Sequence, residues 1–318
     1  MNKTFSDQQL SSIILGLEKG DIPVKYSYIT KQGSKARSKI EKSRTIEGQS
    51  FSDALLLKNS IEIYLQELGG PKELAIFDFG CGTGETVKET LLKLGKMGIK
   101  VKYHAFDISQ NIINLCKNNI SNINNCEFNY SIIDFEISNL VDILYNIRSK
   151  YKNIPVLGLL LGNTVGNFNS MERILTNILE AFRIGDRLCI GIERSDINNK
   201  RRFDNMINIY QSKAVFNIAS ATIKELNFDL KNGRYYVNFN ERLSSIEGFF
   251  IIEKDFSIKI NNKTINFKVG EKIRIVQSKK IDESGFSKLF LDLDMRIANI
   301  RTNESNSYLQ ALISSKKY

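Results

Sequence analysis

Between residues 74 and 193, strand-like apolar segments alternate regularly with segments that have the periodicity of amphipathic helices. Such alternation requires right-handed crossovers, and it builds a parallel sheet that helices cover on both faces. The pattern therefore predicts an α/β fold with a doubly wound sheet, in which ligands bind beyond the carboxyl ends of the strands. The predicted strands are 74–79, 101–107, 126–130, 156–161 and 187–193, and the helices between them are 85–94, one capped by Ser109, 137–150 and one from near Asn169 to Gly185.

The pattern differs on either side of this region. Gln9–Leu17 predicts a helix, Pro23–Gly33 predicts a turn-rich segment, and Ser52 caps an amphipathic helix with Leu55, Leu56, Tyr64, Leu65 and Leu68 near one face. After Glu193, we expect a helix over 201–219, strands over 235–239, 249–256, 265–269 and 273–278, a helix over 283–293 and a final strand near 307–314.

This change of pattern predicts two domains. Residues 70–195 and 281–318 form a cofactor-binding domain, with the last segment returning to complete the sheet. Residues 1–69 and 196–280 form a helical N-terminal segment plus an inserted α+β substrate lobe.

The first predicted strand runs into a glycine-rich turn within IFDFGCGTGET, residues 76–86. Gly80, Gly82 and Gly84 lack Cβ atoms, so they can turn tightly and let backbone N–H groups come close to a bound molecule. The helix that begins near Glu85 directs unpaired N–H groups to the same place, which favours a ligand carboxylate or phosphate. Because a strand precedes the turn and a helix follows it, the motif has the context of a nucleotide-binding site.

Two acidic positions follow the next strands. Asp107 lies 23 residues beyond Gly84, where it could accept hydrogen bonds from both ribose hydroxyls of an adenosine or serve as an N-terminal helix charge. Asp134 and Phe135 suit an adenine, with the carboxylate accepting from the amino group and the ring packing on its face. A loop acid beside a core ring gives the same pattern.

The stretch LGNTVGNFN, residues 161–169, crowds two glycines and three asparagines at the end of a buried strand. An asparagine side chain donates and accepts hydrogen bonds at once, so this stretch suits the recognition of an amine or a carboxylate.

The sequence has few residues that could support histidine-based catalysis, a metal site or a disulfide framework. His104 is the only histidine and lies mid-strand, where a packing role is expected, so a Ser-His-Asp or histidine–metal mechanism is not predicted. The four cysteines lack C-x-x-C spacing, which argues against a zinc site or a disulfide framework and fits a reducing, cytoplasmic location. The polar N-terminus resembles no signal peptide, and no apolar run approaches the roughly 20 residues of a membrane span.

The net charge of +10 raises the question of an anionic partner. The densest basic stretch is 31–44, with six Lys or Arg residues against one Glu. We expect a solvated or mobile loop here, and contact with nucleic acid is the alternative.

The spacing of the glycine turn separates two cofactor classes. D-F-G-C-G-T-G differs from the dinucleotide pattern G-x-G-x-x-G and has the denser form D-x-G-x-G-x-G, which resembles motif I of class I methyltransferases. FDFGCGTGET, AFDIS, IIDFE and LLGNTVGNF together resemble the histidine-specific N-methyltransferase family of ergothioneine biosynthesis, which also includes enzymes for other amino acids and alkaloid precursors. The resemblance runs from about residue 72 to the end, includes GEKIRIVQSKK (270–280), and is fainter in PVKYSYITKQGS. It implies a Rossmann-like class I methyltransferase sheet and S-adenosylmethionine as cofactor.

The resemblance also implies roles for individual residues. The cofactor contacts would be Gly80, Gly82, Asp107, Asp134 and Phe135, with Lys88 as a further contact. Asn167 would orient the amino and carboxylate groups of the substrate, Tyr28 and Tyr210 would bracket it, and Ser278 matches a pocket serine; Asn167 and Tyr28 are the predicted catalytic residues. Members that select histidine carry a Glu where this chain has Val276, and a pocket Met corresponds to Gly248. An imidazole would therefore lose its charged partner, which favours a bulkier or more apolar amine.

Together these features predict an S-adenosylmethionine-dependent N-methyltransferase that acts on an amino acid or a small amine derived from one. Methyl transfer from a sulfonium needs a neutral nucleophile in line, and burial lowers the pKa of an amine, so a dedicated strong base is not required. The alternatives are a methyltransferase of a peptide, protein or RNA, a nucleotide-binding dehydrogenase, and a binding module without activity.

Overall fold

The computed structural model describes residues 4–46, 52–195 and 200–315. The chain divides into two compact units, which we call the lobe unit and the sheet unit. The lobe unit consists of Met1–Ile40 and Asp196–Lys280, and the sheet unit consists of Glu41–Ser195 and Ile281–Tyr318.

The secondary structure of the described residues is as follows. The helices are α1 Asp7–Glu18, α2 Lys25–Ile29, α3 Lys31–Ile46, α4 Ser52–Glu67, α5 Glu85–Lys96, α6 Gln110–Ile120, α7 Leu140–Ser149, α8 Met171–Glu180, α9 Lys200–Gln211, α10 Lys213–Ala219, α11 Ala221–Glu225 and α12 Glu283–Asp292. The strands are β1 Glu73–Phe79, β2 Lys100–Asp107, β3 Cys126–Ile132, β4 Val156–Leu160, β5 Arg187–Glu193, β6 Gly233–Asn240, β7 Ser245–Ile252, β8 Phe256–Ile260, β9 Lys263–Phe267, β10 Lys272–Lys279, β11 Met295–Thr302 and β12 Tyr308–Ser315.

The sheet unit is organised around one seven-stranded sheet with the strand order β3-β2-β1-β4-β5-β12-β11. Strands β1 to β5 pair in parallel, whereas β12 runs antiparallel to both β5 and β11. This topology confirms the predicted doubly wound α/β fold, and the final strand returns to the sheet as expected. The carboxyl ends of β1, β2, β4 and β5 therefore lie along one edge.

The sheet has a hydrophobic core on each face, because alternate side chains of a strand point in opposite directions. In β1, Ala75, Phe77 and Phe79 belong to one core, and Leu74 and Ile76 belong to the other. Helices α7, α8 and α12 pack into the first core, and helices α4, α5 and α6 pack into the second.

The lobe unit contains an antiparallel sheet of order β10-β7-β6 and a separate β8–β9 hairpin. The hairpin turns at Asn261-Asn262, as predicted, with Asn261 at a φ of 53°. Arg274 of β10 holds the N-terminal segment to this sheet: its Nη2 and Nη1 donate to Asp21 Oδ2 and Glu247 Oε1, each at 2.6 Å.

The structure groups residues 41–69 with the sheet unit, whereas the sequence pattern assigned them to the lobe. The reason is the inward face of α4, on which Leu57, Ile61 and Tyr64 are fully buried in a core of the sheet unit. Leu55, which we placed near that face, is instead exposed.

The basic stretch 31–44 forms helix α3, so the expectation of a loop is wrong. Ser34, Ser38 and Glu41 are buried at the i, i+4 and i+7 positions of one face, while Lys35 and Lys39 are exposed. Because the buried face is polar, hydrophobic periodicity does not reveal this helix.

Four further features differ from the sequence prediction. The segment 23–33 contains helix α2 rather than turns alone. The helix expected over 201–219 is broken at Ser212, whose hydroxyl accepts from Val215 N at 3.4 Å and so caps α10. Strand β11 had no sequence counterpart, and the strand expected over 249–256 ends at Ile252.

None of the helices in the described ranges is both long and apolar enough to cross a membrane.

Candidate functional site

The glycine-rich turn lies at the carboxyl end of β1, where it leads into α5. Gly80, Gly82 and Gly84 all have positive φ angles, of 77°, 54° and 81°, which L-residues with a side chain rarely adopt. The N–H groups of Gly80 and Cys81 donate to Phe106 O of β2, at 2.8 and 3.2 Å. The turn is therefore held against the end of the neighbouring strand.

Two of these glycines also permit close packing. A Cβ atom at Gly80 would lie 2.9 Å from Thr164 Cγ2, and a Cβ atom at Gly84 would lie 2.9 Å from Ile120 Cγ1. Gly80 thus brings the turn against the LGNTVGNFN stretch, and Gly84 brings the start of α5 against α6. The sequence analysis had assigned these glycines to a tight turn and to ligand approach, and not to packing against other elements.

Glu41 of α3 contacts the same turn, which the sequence did not predict. Its Oε2 accepts a hydrogen bond from Thr83 N at 3.2 Å and another from Thr83 Oγ1, and a Cβ atom at Gly82 would lie 3.1 Å from its Oε1. Glu41 as a whole is only 5% exposed. The one acidic residue of the basic stretch 31–44 is therefore a residue of this edge.

The acidic residues after β2 and β3 lie beside the turn. Asp107 ends β2 and is buried, its Oδ1 accepts from Ser109 N at 3.0 Å, and its backbone O accepts from Ile133 N at 2.9 Å. Asp134 therefore follows directly, and the buried ring of Phe135 packs edge-on against Phe79 of β1 with 6.0 Å between centroids. The structure brings together these three predicted residues and the glycine turn.

Asp78, the acidic residue just before the turn, is buried in β1. The pKa of Asp78 is raised to about 7, mainly by burial; the hydrogen bond from Tyr103 opposes this increase, and the nearby charges of Asp107 and Asp53 add to it. That bond runs from Tyr103 Oη to Asp78 Oδ2 at 2.6 Å. Near neutral pH this carboxyl group is therefore close to half-protonated.

The LGNTVGNFN stretch follows β4, and hydrogen bonds hold its first residues in place. Gly162 N donates to Asp53 Oδ2 at 2.8 Å and to Tyr308 Oη at 3.0 Å. Asn163, with a φ of 59°, accepts from Glu193 N of β5 through Oδ1 at 2.9 Å. Its sequence gave no indication that Asp53 of α4 and Tyr308 of β12 hold this loop.

Asn167 ends a 3₁₀ turn, Thr164–Asn167, and is half-buried. The next residue, Phe168, packs edge-on against Phe135 with 6.0 Å between centroids, so Asn167 lies near the predicted adenine-binding residues. No hydrogen bond joins the Asn167 side chain to another residue in the described part of the chain. Its amide can therefore bind a ligand without breaking an internal contact.

Lys88 lies in the first turn of α5 and is half-buried. Its backbone N–H donates to Gly84 O at 3.1 Å. This position is one turn along the helix from the glycine turn.

In the lobe unit, Tyr210 and Ser278 form a cluster with Lys280, which was not predicted. Tyr210 Oη donates to Ser278 Oγ at 2.8 Å, and Lys280 Nζ donates to both hydroxyls, at 3.0 and 3.1 Å. The Lys280 ammonium also lies 4.9 Å from the Tyr210 ring centroid, and the residue is only 2% exposed. Lys280 thus places its buried ammonium group against two hydroxyl groups.

Val276 and Gly248 face each other on paired strands of the lobe unit. Val276 is buried in the apolar core, and a Cβ atom at Gly248 would lie 3.0 Å from Val276 Cβ and only 2.6 Å from Tyr235 Oη. The ring of Tyr235, held by a hydrogen bond from its hydroxyl to Tyr210 O at 3.1 Å, therefore fills the space that a side chain at position 248 would occupy. Tyr28 lies half-buried in α2, elsewhere in this unit.

His104 is buried in β2, where its ring stacks on Phe106 at 4.5 Å and its nitrogens contact Tyr151 Oη and Ser131 Oγ. Burial lowers the pKa of His104 to about 4, with a smaller contribution from Lys150. It is therefore neutral at physiological pH. Among the described residues, no group of three His, Cys, Asp or Glu side chains is arranged to bind a metal ion.

Comparison with known proteins gives one family and several solved structures. The model of the family described as histidine-specific, S-adenosylmethionine-dependent methyltransferases matches residues 11–315. No curated protein matches the sequence. An S-adenosylmethionine-dependent methyltransferase from Clostridium acetobutylicum is similar in structure, at 10% identity and a TM-score of 0.45, over 86% of this chain and 95% of that one.

Two further solved structures are similar at comparable levels. A methyltransferase from Leishmania major has 10% identity and a TM-score of 0.44, over 89% of this chain and 82% of its own. The glycopeptide N-methyltransferase MtfA, complexed with sinefungin, has 7% identity and a TM-score of 0.42, over 81% of this chain and 86% of its own.

Proposed function

We propose, from the premise that this chain belongs to the family of histidine-specific, S-adenosylmethionine-dependent methyltransferases, that it methylates the amino nitrogen of an amino acid or of a small amine derived from one. Membership makes the chain a methyltransferase with S-adenosylmethionine as its cofactor, so a dinucleotide-dependent dehydrogenase is no longer an alternative. The observation that carries the proposal is the glycine turn, which has three positive-φ glycines and lies beside the carboxylates of Glu41 and Asp107.

The residues at this edge fit the cofactor. S-adenosylmethionine supplies a methyl group activated on a positively charged sulfur, and it also carries an ammonium and a carboxylate. Asp107 and Glu41 make the edge acidic, which favours a ligand with two positive charges. The N–H groups at the start of α5 favour its carboxylate.

We assign the cofactor contacts to Gly80, Gly82, Lys88 and the three residues Asp107, Asp134 and Phe135. Asp107 would accept from the ribose hydroxyls, and Asp134 and Phe135 would contact the adenine. If a ligand carboxylate accepts from Thr83 N, the hydrogen bond from Thr83 N to Glu41 must break. If that bond is kept, the Glu41 carboxylate can instead accept a hydrogen bond from the ligand ammonium.

The acceptor amine needs orientation and a dry environment more than a base. An amine that is removed from water has a lowered pKa, so a larger fraction carries the free lone pair. We propose that Asn167 and Tyr28 orient the acceptor, with Asn167 using its amide to bind the amino or carboxylate group. His104 is buried in contacts of its own and takes no part.

Tyr210, Ser278, Val276 and Gly248 are assigned to substrate selection. Val276 brings an apolar surface rather than a carboxylate, and Tyr235 occupies the space above Gly248. A cationic or imidazole side chain would find no acidic partner in this group, so we propose an acceptor with an uncharged side chain rather than histidine.

Incubation with methyl-labelled S-adenosylmethionine and a panel of amino acids, derived amines, peptides and RNA tests the proposal. We expect label in a small amine, with little dependence on salt. Label only in RNA or a protein, with transfer that falls steeply as salt rises, would replace it with the polymer alternative that the net charge of +10 suggests.

Two variants test the residue assignments by calorimetry with S-adenosylhomocysteine. Asp107→Ala should cost about 1.5–3 kcal/mol of binding, roughly a tenfold to hundredfold rise in Kd, because a charged acceptor is lost. Asp292→Ala, which removes an exposed carboxylate of the same unit, is the matched control. Equal affinities of the two variants would remove Asp107 from the site.

Asn167→Ala should leave S-adenosylhomocysteine affinity unchanged and reduce turnover of the acceptor found in the panel. The matched control is Asn122→Ala, an exposed asparagine of the sheet unit. An unchanged rate in Asn167→Ala would show that its amide does not position the acceptor.

A further inference from the structure

The basic face of α3 borders a cavity of about 350 Å³ in the lobe unit. Its walls are contributed by α3, α10 and α11. Lys35 and Lys39 of α3 and Lys224 of α11 reach it from two sides, and the amides of Gln32 and Asn217 add hydrogen-bonding groups. The volume lies in the range of small-molecule pockets, about 300–1,000 Å³.

All the charged side chains among the described residues that line this cavity are lysines. No described residue that lines it is acidic, and none of its three lysines forms an ion pair with a residue in the described ranges. Other basic groups of the lobe unit do form ion pairs: Lys263 pairs with Glu18, Lys268 with Asp255, and Arg274 with Asp21. Three like charges that share one recess repel each other, and a bound anion would relieve this repulsion.

The helices that form the cavity are fixed to one another. Ser27 Oγ of α2 donates to Ala219 O of α10 at 3.1 Å and lies 2.9 Å from Thr222 Oγ1 of α11. The following helix approaches so closely that a Cβ atom at Gly33 would lie 1.9 Å from Ser27 O. The backbone positions that carry the three lysines are therefore held by packed helices, so a ligand would need to order only the lysine side chains.

We propose that this cavity is a binding site for a small anion that carries phosphate groups. Lysine ammonium groups bind phosphate as point charges, and three of them match a ligand with two or more negative charges. An extended nucleic acid is disfavoured because the lysines face one recess rather than a stripe, and none of the described residues that line it has an aromatic ring for base stacking. The site does not depend on the proposed methyl acceptor.

Calorimetric titration of the full chain with inorganic pyrophosphate at low ionic strength tests the proposal. We expect one saturable site, and we expect Lys39→Ala and Lys224→Ala each to raise its Kd by about tenfold, because each removes one charge-assisted contact. Lys259→Ala, an exposed lysine of β8 in the same unit, is the control and should bind as the wild type does. Circular dichroism of each variant checks that the fold is intact.

The same titration in saturating S-adenosylhomocysteine separates this site from the glycine turn, since pyrophosphate should still bind. Loss of binding under that condition would assign the anion to the cofactor site and overturn the proposal. Absence of saturable binding, or equal affinity in Lys39→Ala, Lys224→Ala and Lys259→Ala, would also overturn it. An RNA oligonucleotide that binds through Lys39 and Lys224 when pyrophosphate does not would make the surface a nucleic-acid contact instead.

Discussion

Gly80→Ala should destabilise the sheet unit through two effects that can be measured separately. The φ of Gly80 is 77°, and a side chain in that region costs about 1–2 kcal/mol. The new Cβ atom would also lie 2.9 Å from Thr164 Cγ2 and 3.2 Å from Thr164 Oγ1, and such overpacking costs about 1–3 kcal/mol. We therefore expect a loss of about 2–5 kcal/mol in the free energy of unfolding.

Gly98→Ala is the matched control, because Gly98 has a φ of 75° but no heavy atom within 4 Å of the added Cβ. It should show only the backbone term, about 1–2 kcal/mol. Thr164→Ser removes the clashing methyl group and keeps the hydroxyl that donates to Leu161 O at 2.7 Å. The double variant Gly80→Ala/Thr164→Ser should therefore recover much of the free energy of unfolding that the steric clash costs Gly80→Ala.

Urea denaturation followed by far-UV circular dichroism gives the stabilities, and calorimetry with S-adenosylhomocysteine gives the affinities. We expect Gly80→Ala to weaken binding more than Gly98→Ala, because only the former displaces the turn and the Thr164 loop together. Equal destabilisation by Gly80→Ala and Gly98→Ala, or no recovery with Thr164→Ser, would refute the claim that Thr164 packs against the turn.

Three further perturbations follow from the described contacts. Asp186→Ala should cost about 3–5 kcal/mol in urea denaturation, because it leaves the buried Arg148, which donates to Asp186 at 2.7 and 2.9 Å, without its partner; a loss below 1 kcal/mol would contradict this. The pKa of Asp78 rises from 3.8 to about 7 on folding, so between these values the folded state holds a proton that the unfolded state has lost, and stability falls by about 1.4 kcal/mol per pH unit as pH rises. Asp78→Asn should remove that contribution, and an unchanged slope between pH 5 and 7 would show that the carboxyl group is not protonated. Gly248→Ala should destabilise the lobe unit by about 1–3 kcal/mol in urea denaturation through its contact with Tyr235 Oη, and Tyr235→Phe should restore part of the loss; no recovery would contradict this contact.

The sequence was most informative where the pattern is local. Strands β1 to β5 and helices α5 to α8 fall within a few residues of their predicted bounds, because each has the periodicity of its own secondary structure. The glycine turn and the acidic residues after β2 and β3 were found in the same way, since a parallel sheet brings the carboxyl ends of its strands to one edge.

The predictions failed where burial does not follow hydrophobicity. Helix α3 buries the polar residues Ser34, Ser38 and Glu41 on one face and exposes lysines on the other. Its sequence therefore has the composition of a solvated segment. The break between α9 and α10 depends on one capping hydroxyl, at Ser212, within an otherwise continuous helical pattern. Neither feature leaves a periodic signal.

The sequence by itself determined the fold class, the glycine turn and the post-strand acids, because these depend on neighbours along the chain. Only the tertiary structure decided that Glu41 contacts Thr83, that Asp53 and Tyr308 hold Gly162, and that Tyr235 fills the space at Gly248. In the pair Tyr308 and Gly162, the partners are 146 residues apart. Contacts over such separations are selected by packing and by the need to satisfy buried polar groups, and neither requirement is visible in the local order of residues.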